Sequence, residues 1–288
     1  MSNLHITYNA ISVSYTPDLD GGGFGFGQDC IPVVRSLFGQ VDRVFEFCAG
    51  PGFIGFSLLA QGLCRSLCLS DINPKAVAAA RETVRRNGLE RVVSVYQSDA
   101  LDGIPSTEKW DLVVSNPPHF KDEYRDNIRN CDPDWSVHRK FYAKVGRHLK
   151  PNGAVLMQEN SEGSGIADFE EMILSGGLPP PKAFTWAHEG RKNYLDSYYF
   201  VLSGNGFLQH PRMIPCNATE LEPKERIQVP AGYYKLRGFP SSLAFKKKFG
   251  FFPRFLRKLG TKQSPMFYAY PGHYILRSDS KTIDLSVN

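Results

Sequence analysis

A chain of 288 residues with 42% hydrophobic content can bury one large core, or one core and a small appendage. No apolar run approaches the roughly 18 residues of a membrane-spanning helix, and Met1-Ser2-Asn3-Leu4-His5 lacks a basic-then-apolar export signal, so a cytoplasmic protein is expected. The net charge of +5 is uneven: residues 206–288 hold 14 Lys and Arg against 5 Asp and Glu, whereas the preceding 205 residues hold 20 against 24. An acidic body with a basic tail points to an anionic partner for the tail.

From about Val41, short apolar strands alternate with helix-length segments. Arg43–Cys48 reads as a strand, followed by Gly50-Pro51-Gly52 and an apolar helix from Phe53 to Gln61. Ser66–Ser70 is a second strand. Asn73 then caps, and Pro74 opens, a helix that stops at Asn87-Gly88. Val92–Tyr96 and Trp110–Ser115 are the third and fourth strands. A helix over Asp134–Leu149 is expected to stop at Pro151-Asn152-Gly153, before a fifth strand at Ala154–Glu159. A helix over Ile166–Leu174 and two strands, Ala183–His188 and Ser197–Leu202, complete the pattern, the last as an antiparallel insertion. Such alternation predicts an α/β fold, a doubly wound and mostly parallel sheet covered on both faces.

The expected divisions are an N-terminal segment over 1–40, a ligand-binding domain over 41–205 and a basic, aromatic extension over 206–288. The glycines between Gly21 and Gly27 read as a mobile loop or a close backbone approach to a ligand. In the extension, Phe245, Phe249, Phe252, Leu256 and Leu259 fall at near-helical spacing among Lys246, Lys247, Lys248, Arg254, Arg257 and Lys258, with Pro253 breaking the run. Such a stretch suits nucleic acid or an acidic surface, and equally a basic face packed by its aromatics onto the body. Cys30, Cys48, Cys64, Cys68, Cys131 and Cys216 are scattered, and no second pair completes a zinc site around Cys64 and Cys68, so no metal is expected.

Four successive strand ends carry chemistry, and in open α/β sheets that edge is where ligands bind. Glu46-Phe47-Cys48-Ala49-Gly50-Pro51-Gly52 leads from a strand into a helix, where glycines admit a ligand close to the backbone and the helix start offers unpaired N–H groups. Asp71 ends the second strand with a carboxylate able to chelate two ribose hydroxyls, and Ile72 beside it offers an apolar face to a purine. Asp99-Ala100 follows the third strand, where Asp99 can accept a proton from an exocyclic amine. Asn116-Pro117-Pro118-His119 ends the fourth. Its prolines force a turn, the Asn116 amide oxygen and the Pro117 carbonyl can accept the N–H protons of a planar nitrogen, and a ring can stack on its face. Near this turn, Asp134, Trp135, His138 and Arg139 read either as pocket lining or as the start of an amphipathic helix.

In order and spacing these motifs resemble those of class I S-adenosylmethionine-dependent methyltransferases, in the branch with an Asn-Pro-Pro-aromatic motif, over about residues 41–203. That branch includes glutamine methyltransferases of release factors and ribosomal proteins and adenine or guanine methyltransferases of DNA and RNA. The resemblance implies S-adenosylmethionine as cofactor and transfer of its methyl group to a nitrogen of a protein amide, a nucleobase or a small metabolite. It implies that Glu46 faces the methionine end of the cofactor, that Cys48, Gly50 and Gly52 form the turn beneath it, and that Asp71 binds ribose. Ile72 would pack on adenine, Asp99 and Ala100 would meet the adenine amine, and Asn116, Pro117 and His119 would grip the target. Two positions depart from the family pattern: Cys48 replaces the first glycine of the loop, and His119 replaces the usual Tyr or Phe. The rival from another class is a methyltransferase-fold protein without catalysis that binds nucleic acid or membrane. Retention of Asp71, Asp99 and Asn116 together favours the enzyme.

Overall fold

A computed structural model describes residues 4–19, 23–121, 131–161, 163–186 and 198–215, together with five short strands between 225 and 284. The contacts divide the chain into two compact units, one of residues 1–185 and 199–218, the other of 186–198 and 219–288.

The first unit opens with a hairpin that sequence periodicity did not suggest, β1 (Leu4–Tyr8) and β2 (Ile11–Tyr15), paired antiparallel. Then follow α1 (Gly23–Leu37), β3 (Val41–Phe47), α2 (Phe53–Ala60), β4 (Cys64–Asp71), α3 (Pro74–Arg86), β5 (Val93–Gln97) and β6 (Trp110–Ser115). The unit continues with α4 (Ser136–Val145), β7 (Leu149–Asn160), α5 (Ile166–Ser175), β8 (Lys182–Trp186), β9 (Tyr198–Gly204) and β10 (Met213–Pro215). The larger sheet has the order β10-β8-β9-β7-β6-β3-β4-β5. Strands β3 to β7 pair in parallel and β8 with β9 antiparallel, as the alternation predicted.

The order runs one way from β3 through β4 to β5, then restarts at β6 on the other side of β3. Strand order therefore reverses between β3 and β6, and the carboxyl ends there border a crevice. The central strands are buried on both faces, as a doubly covered sheet requires: Val44, Phe45, Leu112, Val113, Val114, Ala154, Val155, Leu156 and Met157 are all in the core. Trp110 is wholly buried and stacks on Phe45 at 4.0 Å and on His148 at 4.8 Å. His148 Nδ1 donates to the Glu108 carbonyl, 3.0 Å away, and His148 is a satisfied core histidine.

Two expectations are corrected. The glycine-rich stretch is not a loop throughout, because from Gly23 onward it forms α1. Glycine disfavours a helix interior by about 1 kcal/mol per residue, but the apolar half of this helix includes Cys30, Val33, Val34 and Leu37, all buried, so packing outweighs propensity. Pro151-Asn152-Gly153 does not lie outside the strand either. β7 runs through it, and the register jumps from Trp110↔Leu149 to Leu112↔Ala154, so the extra residues bulge within the ladder. In addition, α4 starts later than expected, at Ser136, after a short 3₁₀ turn at Pro133–Trp135 in which Asp134 and Trp135 have φ of 53° and 55°.

In the second unit, β11 (Glu225–Gln228) pairs antiparallel with β13 (Met266–Ala269). β14 (Tyr274–Arg277) lies between β12 (Tyr233–Leu236) and β15 (Thr282–Asp284), antiparallel to both. The basic stretch over 245–259 lies outside the described residues, as does Cys216.

The N-terminal hairpin is fastened to α3 by side chains. Asn87 accepts from Ser12 N at 3.0 Å and donates to Ser12 O at 3.0 Å, while Thr83 Oγ1 accepts from Ser14 N at 2.9 Å. Asn87→Ala should therefore destabilise the fold by about 1–3 kcal/mol in urea titration, by leaving the Ser12 backbone groups without partners.

Candidate functional site

The loop after β3 is tied by two carboxylates. Glu46, buried near the end of the strand, accepts from Ile54 N at 3.2 Å and from Gly55 N at 2.7 Å in the first turn of α2. Burial pushes its carboxyl up to about 8 against these two N–H bonds. Asp71, at the end of β4, accepts from Gly50 N at 2.7 Å with one oxygen and from Asn73 N at 2.8 Å with the other. Its pKa is raised by burial and partly restored by these backbone donors. Between the two acids the chain turns through left-handed residues: Cys48 at φ 51°, Gly50 at 54° and Gly52 at 89°. Gly52 has no room for a side chain, since an added Cβ would lie 2.8 Å from the Phe56 ring and 2.9 Å from Leu69. The result is an open backbone turn at the start of α2.

Register aligns the rest of the edge. Glu46 pairs with Leu69 and Val114, Phe47 with Ser115, Ser115 with Met157 and Asp71 with Gln97. Cys48, Asn116 and Gln158 are thus neighbours, each one residue past one of these aligned positions. Ile72 is 63% exposed, an apolar side chain left in solvent beside the Asp71 carboxylate. Asp99 pairs with Lys140 Nζ at 2.5 Å and its side chain is partly exposed, while Ala100 behind it is buried at φ 48°.

Asn116 Oδ1 is buried and makes no hydrogen bond among the described residues; Gln158 Oε1 and Glu159 Oε2 share that condition. A buried acceptor without a donor costs about 1–3 kcal/mol, so Asn116 and Gln158, at the ends of the adjacent strands β6 and β7, mark a place prepared for N–H donors, whereas the Glu159 carboxylate already meets His138 through its other oxygen. His119 is only 4% exposed and its ring lies edge-on to Phe120 at 5.5 Å. The expected stacking platform is therefore a buried ring in this structure. Burial first, and then the nearby His138, lower its pKa to about 4 despite the Pro117 carbonyl beside it. His119 is accordingly neutral at physiological pH and a weak base.

Sequence reasoning did not find the anchor behind this turn. The segment after Phe120 returns at Cys131, the two forming a bridge, and Asp132 N donates to Phe120 O at 2.8 Å. Asp132 then accepts from Ser136 Oγ, Val137 N and His138 N, which starts α4. Its other contact is His138 Nδ1 at 2.6 Å, and His138 Nε2 meets Glu159 Oε1 at 3.0 Å. Asp132 and His138 are completely buried and Glu159 is 1% exposed. Burial alone would lower the His138 pKa, but Glu159 and Asp132 raise it to about 9. The imidazolium is stacked on Phe169 at 4.8 Å. A histidine between two acids 6 residues before it and 21 residues after it has no local sequence signal. Among the described residues, no group of His, Cys, Asp and Glu is arranged to hold a metal.

Residues 33–167 match the family model of the methyltransferase small domain. Curated relatives of the domain include the ribosomal protein uL3 glutamine methyltransferase of Francisella tularensis subsp. tularensis, 31% identical over 51% of this chain and 48% of that protein. The ribosomal RNA small subunit methyltransferase C of Pseudomonas entomophila is 30% identical over 41% of this chain and 32% of that protein. The release factor glutamine methyltransferase of Clostridium acetobutylicum is 26% identical over 42% of this chain and 47% of that protein. The chain thus spans about half or less of the length of these relatives. A solved structure of the T. thermophilus 16S rRNA N2 G1207 methyltransferase has a TM-score of 0.48 at 12% identity, over 71% of this chain and 50% of that one.

The buried histidine makes stability depend on pH. A folded-state pKa of about 9 against an ordinary 6.5 means that the His138 contribution is complete below 6.5 and is lost as pH rises through 9. His138→Gln, which leaves Asp132 and Glu159 without a cation, should destabilise the fold by about 3–5 kcal/mol near pH 6. The deficit relative to wild type should shrink in melts above pH 9. A deficit independent of pH would remove the ion pairs from the account.

Proposed function

We propose that this chain is an S-adenosylmethionine-dependent methyltransferase whose acceptor atom is a nitrogen. The observation that carries the reading is the buried, unpartnered Asn116 Oδ1. It lies one residue past β6, at the edge where strand order reverses. The match of residues 33–167 to the methyltransferase small domain supports the same reading.

The residues present fit the cofactor. Gly50 and Gly52 keep a backbone turn free of side chains, Asp71 has a remaining lone pair on each oxygen for ribose hydroxyls, and the exposed Ile72 is a ready face for a purine. Asp99 would exchange its Lys140 partner for the adenine amine, with Ala100 behind it, and Glu46 would lie under the methionine end by way of Cys48 and the α2 start. The cofactor, when bound, supplies a sulfonium methyl group: the acceptor nitrogen forms the N–C bond as the C–S bond breaks, the electron pair goes to sulfur, and an N–H proton leaves to water.

The protein's part is to hold the acceptor. Positioning of this kind can supply several kcal/mol of the barrier. Asn116 would accept an N–H and strengthen that bond as positive charge develops on nitrogen. His119 helps by staying neutral, since a cation there would repel that charge. The Pro117 carbonyl is beside the His119 ring, so its role as a second acceptor for the target is shared with that contact. The five described cysteines are all free thiols, as a reducing cytoplasm would keep them. The acidic body and basic tail, including residues 245–259, fit recruitment of an anionic partner such as nucleic acid.

Asp71→Ala should weaken S-adenosylmethionine binding by at least about tenfold in calorimetry, since each hydrogen bond to a charged acceptor contributes about 1.5–3 kcal/mol. An unchanged dissociation constant would remove Asp71 from the ribose site. Asn116→Ala should leave that affinity nearly intact and lower the transfer rate on the order of a hundredfold, measured with labelled cofactor and fractionated cell extract. Loss of binding without a specific rate defect would make Asn116 structural.

A further inference from the structure

The turn from Asn116 to His119 is packed at its last residue by one glycine. After β7 the chain folds back on itself: Gly163 N, Ser164 N and Ser164 Oγ donate to the Asn160 carbonyl at 3.0, 2.9 and 3.0 Å. This compact loop leads into α5. There Asp168 accepts from Gly165 N at 2.8 Å and from Trp135 Nε1 at 3.3 Å, which fastens the loop to the turn that precedes α4. A Cβ on Gly163 would lie 2.2 Å from the His119 carbonyl oxygen and 2.3 Å from Cδ1 of the Phe120 ring. Both distances are far inside van der Waals contact, and the nearer atom is backbone, which cannot turn aside as a side chain can. Gly163 is not among the residues of positive φ, so space and not backbone conformation requires the glycine.

Resting on the nitrogen-methylation reading, we propose that Gly163 is a positioning residue: the absence of a side chain there lets the loop after β7 close on the His119 carbonyl and fix where Asn116 presents its amide oxygen. The turn has little slack with which to absorb a displacement. Pro117 and Pro118 each fix a φ angle. Ser115 Oγ donates to Phe47 O at 2.6 Å before the turn, and Phe120 O accepts from Asp132 N at 2.8 Å after it. A methyl group at residue 163 therefore moves the turn as a unit, and Asn116 with it. A misplacement of about 1 Å can lower a rate about a hundredfold, even when the altered residue is far from the chemistry. In this role Gly163 touches neither cofactor nor acceptor and acts through the backbone of His119.

The test compares Gly163→Ala with wild type on the full chain. Calorimetry with S-adenosylhomocysteine should give the same dissociation constant within about twofold, because Gly50, Asp71 and Asp99 lie at other strand ends. Transfer from labelled S-adenosylmethionine to fractionated cell extract should fall on the order of a hundredfold. Asn87→Ala, which loosens the hairpin elsewhere in the fold, controls for lost stability and should keep the wild-type rate. Combining Gly163→Ala with Asn116→Ala should slow transfer no further than Asn116→Ala alone, since both changes act on one oxygen. A second readout needs no acceptor. In proton NMR the His119 ring, whose pKa burial lowers to about 4, should titrate nearer the ordinary 6.5 in Gly163→Ala as the turn lifts and admits water, its signal being assigned by its absence from His119→Gln. An unchanged rate with an unchanged His119 titration overturns the inference. So does an equal loss of rate in Asn87→Ala, or losses that add in the double variant. A wild type that binds no S-adenosylhomocysteine, or labels no fraction, overturns the underlying methyltransferase reading instead.

Discussion

The candidate site depends on a backbone turn held open by two carboxylates. Glu46 ties the first N–H groups of α2, and Asp71 reaches across from the next strand to the Gly50 amide. Without them, a run of left-handed residues at Cys48, Gly50 and Gly52 would have few contacts to hold it, because Gly50 has nothing within 4 Å of where a Cβ would sit. Parallel pairing then places the ends of β4, β6 and β7 beside this turn. The same acids hold the loop and border the crevice, so fold and site share their interactions.

The opposite wall is built on buried charge. Asp132, His138 and Glu159 link the return of the chain after Phe120, the start of α4 and the end of β7. A buried ion pair adds little net stability against a well-packed apolar alternative, yet breaking one is costly. Its value here is positional: the Asn116-to-His119 turn is bonded through Phe120 to the residue that starts α4. It also bears on the electrostatics of the neighbourhood, since the charged His138 adds to burial, the larger cause, in keeping His119 neutral.

Elements with strong local chemistry were legible before the structure. Trp110–Ser115 was read with its observed bounds, and Asn73 does cap α3 by accepting from Lys75 N at 3.0 Å. Elements governed by tertiary contact were not. The β1–β2 hairpin relies on Asn87 and Thr83 far along the chain, α1 overcomes its glycines through buried Val33, Val34 and Leu37, and β7 absorbs Pro151-Asn152-Gly153 in a bulge.

What the sequence alone determined was the order of polar groups at successive strand ends, Glu46, Asp71, Asp99 and Asn116, because apolar strands and turn residues declare themselves within a few neighbours. Only the tertiary structure decided the state of those groups. Burial makes Glu46 a weak acid, neutralises His119 and leaves Asn116 Oδ1 without a partner, and register brings Gln158 beside it. Desolvation and pairing depend on what lies across the sheet and above the strand ends, and no local run of residues encodes that.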